Sequence, residues 1–236
     1  MLVAMTTPAT AALQAATHTI PIVFAAIADP VGSGFAASLP QPGGNITGFV
    51  DIEGSLGGKW LELIHETAPS ASRVAFLFNP RTAPFARYYL ETFRSSAAAL
   101  NIAPIESAVH TAVEVEAAMA ELGREGSVGI IVMPETFTGG YGEAIISLAD
   151  RYLLPTIYPF SFFVTAGGLI SYGVNYPDLL RDTASYVDRI IEGATPDQLP
   201  VRLPTKFELM INLKAAKALG LGVPQSLLMA ADKVVE

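Results

Sequence analysis

The stretch TIPIVFAAIADPVGSGFAASLPQPGGNITGFVD, residues 19–51, decides the fold. It reads as strand, loop, short helix, turn and strand, with Asp29 and Asp51 closing the two strands. An open α/β sheet displays its binding crevice at such strand ends. Function is therefore sought at the carboxyl ends of strands.

Working outward from that stretch, strands are expected at 2–5, 20–26, 46–50, 74–78, 103–107, 128–133, 156–158 and 169–172. Most are short continuous apolar runs, the pattern of parallel strands covered on both faces. The helices between them have readable ends. Thr111 and Glu114 form a capping box, Val115, Ala118, Met119 and Leu122 share one face, and Gly123 supplies the stop. A second helix starts at Pro177, buries Leu179, Leu180, Thr183, Val187, Ile190 and Ile191, and ends at Gly193. A third carries Leu56, Trp60, Leu63 and Ile64 and stops before Pro69. These apolar stripes read as packing faces.

At 236 residues, 51% of them hydrophobic, the chain is long enough for two α/β lobes. The polar, Pro-containing segment HETAPSASR and the glycines at Gly167 and Gly168 suggest the boundaries. The first lobe is expected to hold 1–70 and 168–236, and the second 71–167. That layout puts a cleft between lobes.

The net charge of −8, from 22 acidic and 14 basic residues with no Lys/Arg cluster, leaves no electrostatic footprint for nucleic acid or anionic lipid. The absence of cysteine excludes disulfides and thiolate metal sites. No stretch approaches the ~20 apolar residues of a membrane span. No basic region, apolar stretch and cleavage site open the chain, which as written is expected to carry no export signal.

Enzyme signatures are weak. Gly32, Gly34 and Ala37 fit GxGxxA after a strand, and Asp51 follows about 20 residues on, as a dinucleotide fingerprint requires. Against this, Asp29 and Pro30 place a negative charge where a pyrophosphate would sit, and the helix before Pro40 and Pro42 is short. A dinucleotide-dependent enzyme is thus the alternative reading, and a loop permitting tight packing the simpler one. His18, His65 and His110 lack metal-ligand spacing and read as surface residues. There is no GxSxG elbow and no GxxxxGK[ST] loop. Glu114 and Glu116 cannot face one site from one helix. No catalytic residue, cofactor or metal is expected.

What remains is a set of polar and aromatic residues at successive strand ends: Thr6, Thr7, Asp29, Phe49, Asp51, Asn79, Glu135, Tyr158, Phe160, Tyr172 and Asn175. Together they suit a small-molecule site with no nucleophile and base pair. Helix starts after Thr7 and Asn79 could hold a carboxylate through free N–H groups, and Asp29 and Glu135 could take an ammonium group. Asp29, Asn79 and Asn175 equally suit helix caps. Phe49, Tyr158 and Phe160 would stack an indole, a phenyl ring or a purine alike.

The run TIPIVFAAIADPVGSGFAASLPQPGGNITGF, together with KWLELIHETAPSASRVAFLFNP, GGLISYGVN and the closing PVRLPTKFELMINLKAAKALGLGVPQSLLMAADKVVE, resembles the bacterial ABC-transporter substrate-binding proteins that include tryptophan- and tyrosine-binding members. The resemblance covers nearly the whole chain. It implies a periplasmic-binding-protein type I fold: two Rossmann-like lobes with parallel sheets and a hinge, closing over a small organic ligand, such as an aromatic or branched amino acid, for delivery to a membrane permease outside the cytoplasm. The family's site loops match those holding Thr7, Asp29, Asn79, Glu135 and Tyr172. Family members carry a signal and a further strand–helix–strand–helix portion ahead of the segment matching MLVAMTTPATAALQAAT. The resemblance therefore implies an incomplete first lobe whose uncovered edge favours self-association. A ligand-sensing remnant that no longer serves transport is a third reading.

Overall fold

The computed structural model of the protein describes residues 1–51 and 53–236. In chain order the elements are β1 (Leu2–Met5), α1 (Thr7–Ala16), β2 (Ile22–Ile27), β3 (Ile46–Val50), α2 (Leu56–Thr67), β4 (Arg73–Phe78), α3 (Ala86–Leu100), β5 (Ala103–Ala108), α4 (Ala112–Glu125) and β6 (Val128–Val132). They continue as α5 (Thr136–Gly140), α6 (Gly142–Arg151), β7 (Thr156–Tyr158), α7 (Ser161–Thr165), β8 (Ile170–Val174), α8 (Tyr176–Ile191), β9 (Phe207–Asn212), α9 (Leu213–Ala218), α10 (Gln225–Ala230) and β10 (Lys233–Val235). The strands expected from the sequence all form, with ends shifted by a residue or two. β9 and β10 are additional.

Two compact units share the chain. One comprises Met1–Glu53 and Val174–Lys206, the other Gly54–Gly173 and Phe207–Glu236. The division thus differs from one near residues 70 and 168. α2 belongs with the second unit because it lies close along α3: a Cβ on Gly57 would stand 2.1 Å from the Tyr89 carbonyl oxygen. The C-terminal segment belongs there because β9 follows β8 in the sheet and β10 pairs with β9.

The first unit is built on a three-stranded sheet in the order β1-β2-β3, parallel throughout. β3 is buried along its whole length and β2 nearly so, which accounts for continuous apolar runs in place of alternation. α8 covers this sheet through Leu179, Thr183 and Tyr186, and the Tyr186 ring lies 4.6 Å from that of Phe49. Leu180 and Ile191, expected in the buried stripe, are exposed. A helix on a narrow sheet buries one line of side chains, and the wider stripe faces solvent. Among the described residues β1 pairs with β2 alone, and Met1 just before it and Val3 and Met5 along it are 43%, 54% and 42% exposed.

The short helix expected between Gly34 and Pro40 is absent, and this stretch is a series of turns. The Asp29 carboxylate bends back to accept the Gly32 N–H at 2.8 Å, and the Pro30 carbonyl accepts from Phe35 and Ala36. Pro40 and Pro42 then stop any helix from propagating.

The second unit carries a seven-stranded sheet in the order β10-β9-β8-β7-β6-β4-β5. β4 pairs in parallel with β5 and β6, β6 with β7, and β7 with β8. One face buries Trp60 of α2 beside Tyr89 (5.2 Å) and Phe76 (6.0 Å), and the Trp60 indole N–H donates to the Tyr172 carbonyl at 2.6 Å. The other face packs α4 and α6 through Val115, Met119, Ile145 and Ile146 against Ile130, Val132 and Tyr158. α4 runs through Gly123 and ends before Gly126, whose φ of 66° terminates it. Gly123 serves close packing instead, since a Cβ there would stand 2.7 Å from the Tyr152 side chain. His65, expected at the surface, is half-buried on α2 with Nδ1 sealed from solvent, because it borders the face of α2 that packs into the core through Leu61 and Ile64. No helix among the described residues is long and apolar enough to cross a membrane.

Candidate functional site

In the first unit, the carboxyl ends of β1, β2 and β3 lie side by side and carry Thr6, Asp29 and Asp51. Two of these ends are strained. Thr6, before α1, has a φ of 73°, and Ala26, at the register shift of β2, has a φ of 56°. The Thr6 N–H donates to the Ala25 carbonyl at 3.2 Å, so the two positions are neighbours. Left-handed backbone at a residue with a side chain costs about 1–3 kcal/mol and tends to persist at binding and switch positions. Thr6 makes no side-chain cap to α1, and its carbonyl accepts from the Thr10 hydroxyl. Thr7 is the first residue of α1.

Asp51 leaves the sheet immediately after β3. Its Oδ2 accepts the Tyr176 hydroxyl at 3.0 Å. Burial lifts its carboxyl to about 6, and the Tyr176 hydrogen bond offsets part of that rise. The Tyr176 hydroxyl is driven far above its ordinary value by burial and by the adjacent Asp51 charge. Tyr176, not singled out from the sequence, sits beside the helix cap Asn175, whose Oδ1 accepts the Asp178 N–H at 3.0 Å. The available signal was its place at the first position of a strongly capped helix. Phe49 is buried against Tyr186 and belongs to the core of this unit.

In the second unit the ends of β4 and β6, adjacent in the sheet, bring Asn79 and Glu135 together through Thr82. The Thr82 hydroxyl donates to Glu135 Oε2 at 2.6 Å and contacts the Asn79 carbonyl at 3.4 Å. Glu135 is also the N-cap of α5, accepting the N–H groups of Phe137 (2.6 Å) and Thr138 (3.1 Å). Asn79 is buried and shapes an Asx turn, its Oδ1 accepting the Arg81 N–H at 2.9 Å. α3 starts only at Ala86, so the helix start expected right after Asn79 is replaced by this turn.

The aromatic residues of this unit divide by burial. Tyr158 is in the core, stacked on Phe163 with ring centres 5.0 Å apart. Phe160 is partly buried, 5.6 Å from the exposed Phe162 ring. Tyr172 is half-buried and stacks on Phe207 at 5.9 Å. A separate cavity of about 460 Å³ is lined by Gly139, Gly140, Tyr141, Glu143 and Phe162 among others, and none of the residues expected from the sequence lines it.

The glycine loop at Gly32 is not followed by a helix, so it lacks the helix start that holds a pyrophosphate in dinucleotide folds. A Cβ on Gly32 would stand 2.2 Å from Asp29 Oδ2, so this glycine makes room for its own turn. Among the described residues no group of His, Asp and Glu is arranged to hold a metal ion.

Comparison with known proteins places this architecture. The family model for ABC transporter substrate binding protein matches residues 1–235. A tyrosine-binding protein of Clostridioides difficile (strain R20291) is 27% identical over 220 residues, covering 93% of this chain, which spans 62% of that protein's length. The structure of a conserved domain protein from Vibrio cholerae is 32% identical with a TM-score of 0.87, over 99% of this chain and 78% of that one. An ABC domain from Streptococcus pneumonia in complex with L-Trp is 26% identical with the same TM-score of 0.87, again over 99% and 78%. With parallel strands in both units and a family match along essentially its full length, the chain belongs to the ABC transporter substrate-binding protein family.

Proposed function

We propose that this protein is the solute-binding component of an ABC-type importer and that its ligand is an aromatic amino acid. The observation that carries this reading is the likeness, over 99% of the chain and at a TM-score of 0.87, to a domain holding L-Trp. The polar and aromatic groups at the sheet edges support it. Within that reading Thr6, Thr7, Asp29, Asp51 and Asn175 in the first unit, and Glu135, Phe160 and Tyr172 in the second, are the expected residues with exposure enough to meet a solute. Glu135 and Asn79 shape the loops around them. Permease docking and an extracytoplasmic location follow from the same reading. Recovery of the native protein in the cytosolic fraction alone would speak against both.

A thermal-shift panel of L-tryptophan, L-tyrosine, L-phenylalanine, branched amino acids, nucleosides and NAD tests the ligand class. A ligand at 100 times its dissociation constant adds about 2.7 kcal/mol of stability. A shift with one aromatic amino acid is expected, and a shift with NAD alone would replace the transport reading with an enzymatic one.

The exposed β1 edge favours a second element of the reading, self-association. An edge strand presenting Met1, Val3 and Met5 offers both unpaired backbone groups and apolar side chains to a second copy. Light scattering after size exclusion is expected to show a dimer or larger species, and a monomer at all concentrations excludes it.

A further inference from the structure

The cavity of about 460 Å³ in the second unit has no part in the solute-binding reading. Its walls come from three segments: the end of α5 with Gly139 and Gly140, the start of α6 with Tyr141 and Glu143, and α7 with Phe162. A cavity of this volume suits a small organic molecule. The two glycines keep it open, since a Cβ on either would meet nothing within 4 Å and larger side chains would extend into the free space.

Two exposed aromatic rings line this space, and both are held from behind. Tyr141 is 38% exposed, with its ring 4.8 Å from that of Phe137. Phe162 is 54% exposed and stacks on the buried Phe163, 4.4 Å between ring centres, which stacks in turn on Tyr158 at 5.0 Å. Such a stack fixes its outermost ring, so little rotamer freedom is lost when a ligand settles against it. A ring held in this way presents its electron-rich face, which attracts a cation.

Glu143 carries the one charge on the cavity wall among the described residues, and it pairs with no Lys, Arg or His among them. Arg151, at the far end of the same helix, is engaged with Glu116 and with the Tyr152 ring. The first turn of α6 holds Glu143 where the helix dipole favours the ionised carboxylate. Other acceptors on the wall are already in use: the carbonyls of Gly139, Phe162 and Phe163 each accept a backbone N–H. A primary ammonium brings three N–H donors and would leave some of them unmet. An alkylated ammonium has few or none, and is satisfied by ring faces and a single carboxylate.

We propose that this cavity is a second site, for a small organic cation bearing an alkylated ammonium group, with the cation against the Phe162 and Tyr141 rings and Glu143 as its counter-charge. The proposal does not depend on which solute the protein carries.

The test is an amide NMR titration of the isotope-labelled full chain with choline and with 3,3-dimethylbutanol, which has the same shape with carbon in place of the charged nitrogen. Choline is expected to give saturable shifts at the amides of Gly139, Gly140 and Gly142. It should bind about tenfold more tightly than the neutral alcohol, the combined range of a cation over a ring and an exposed ion pair. Phe162→Leu keeps the apolar bulk and removes the ring face, and Glu143→Gln removes only the charge. Each should lose several-fold in choline affinity while affinity for the alcohol stays within about twofold. Both positions are exposed, so each variant is expected to fold and either one tests the proposal. Equal affinity for the two probes would reduce the cavity to an apolar pocket indifferent to charge and overturn the proposal. No saturable choline shift at these glycines, or choline affinity unaltered in both variants, overturns it as well.

Discussion

The hydroxyl of Tyr176 and the carboxylate of Asp51 stand 125 positions apart in the chain and 3.0 Å apart in space. One side chain follows the third strand of the first unit, and the other opens the helix that covers the same sheet. Their meeting shows how the return of the chain to the first unit at Val174 completes a strand end begun in its first segment.

That pair has a consequence for stability. Burial raises the Asp51 carboxyl from 3.8 to about 6, so between these values the native state holds a proton that the unfolded chain has released. Stability therefore falls as pH rises from about 4 to about 6, and the contribution is flat above that window. The loss is at most about 3 kcal/mol, and screening on the exposed side of the carboxyl reduces it. Urea unfolding across this pH range should show the slope in the wild type and its disappearance in Asp51→Asn, which should be the more stable protein at pH 7. A variant less stable than wild type at pH 7 contradicts this account.

Trp60 is the only tryptophan in the sequence and is 1% exposed. Trp60→Ala should cost about 3–5 kcal/mol through the cavity left between Tyr89 and Phe76. Trp60→Phe keeps most of the ring packing but abandons the Tyr172 carbonyl, and should cost about 1–3 kcal/mol. Chemical denaturation followed by circular dichroism measures both, and equal losses would deny the hydrogen bond a separate role.

Two glycines should respond oppositely to alanine. At Gly57 the added carbon meets the Tyr89 carbonyl oxygen at 2.1 Å, a backbone atom that cannot step aside, so α2 and α3 must separate. A destabilisation of about 2–4 kcal/mol is expected. At Gly139 the added carbon meets nothing within 4 Å, and Gly139→Ala should leave stability unchanged or raise it by up to about 1 kcal/mol. Thermal unfolding of the two variants side by side checks the contrast.

Val3, half exposed on β1, is the place to test the sheet edge. Val3→Lys should shift any oligomer towards monomer without lowering the melting temperature by more than a few degrees, because a lysine on an edge opposes strand addition. Sedimentation velocity at several concentrations reads the change, and an unaltered distribution would place the association surface elsewhere.

The sequence by itself determined the alternation of parallel strands and helices and most of the caps, because these are local matters. Short β-rich apolar runs such as Ile46–Val50 can be buried on both faces only in a covered parallel sheet. Thr111 receives the Glu114 N–H, and Asn175 that of Asp178, within a single turn. The tertiary structure alone decided which elements share a unit, since α2 reads equally well on either side of a boundary until Gly57 is seen against Tyr89. It also decided the roles of the strand-end residues. Asp29, Asp51 and Glu135 are alike in the sequence, each an acid after a strand. Asp29 closes a turn, Glu135 caps a helix, and Asp51 is left half-buried against a tyrosine 125 positions further along the chain. Burial and distant partners make that distinction, and neither is a property of residue type or spacing.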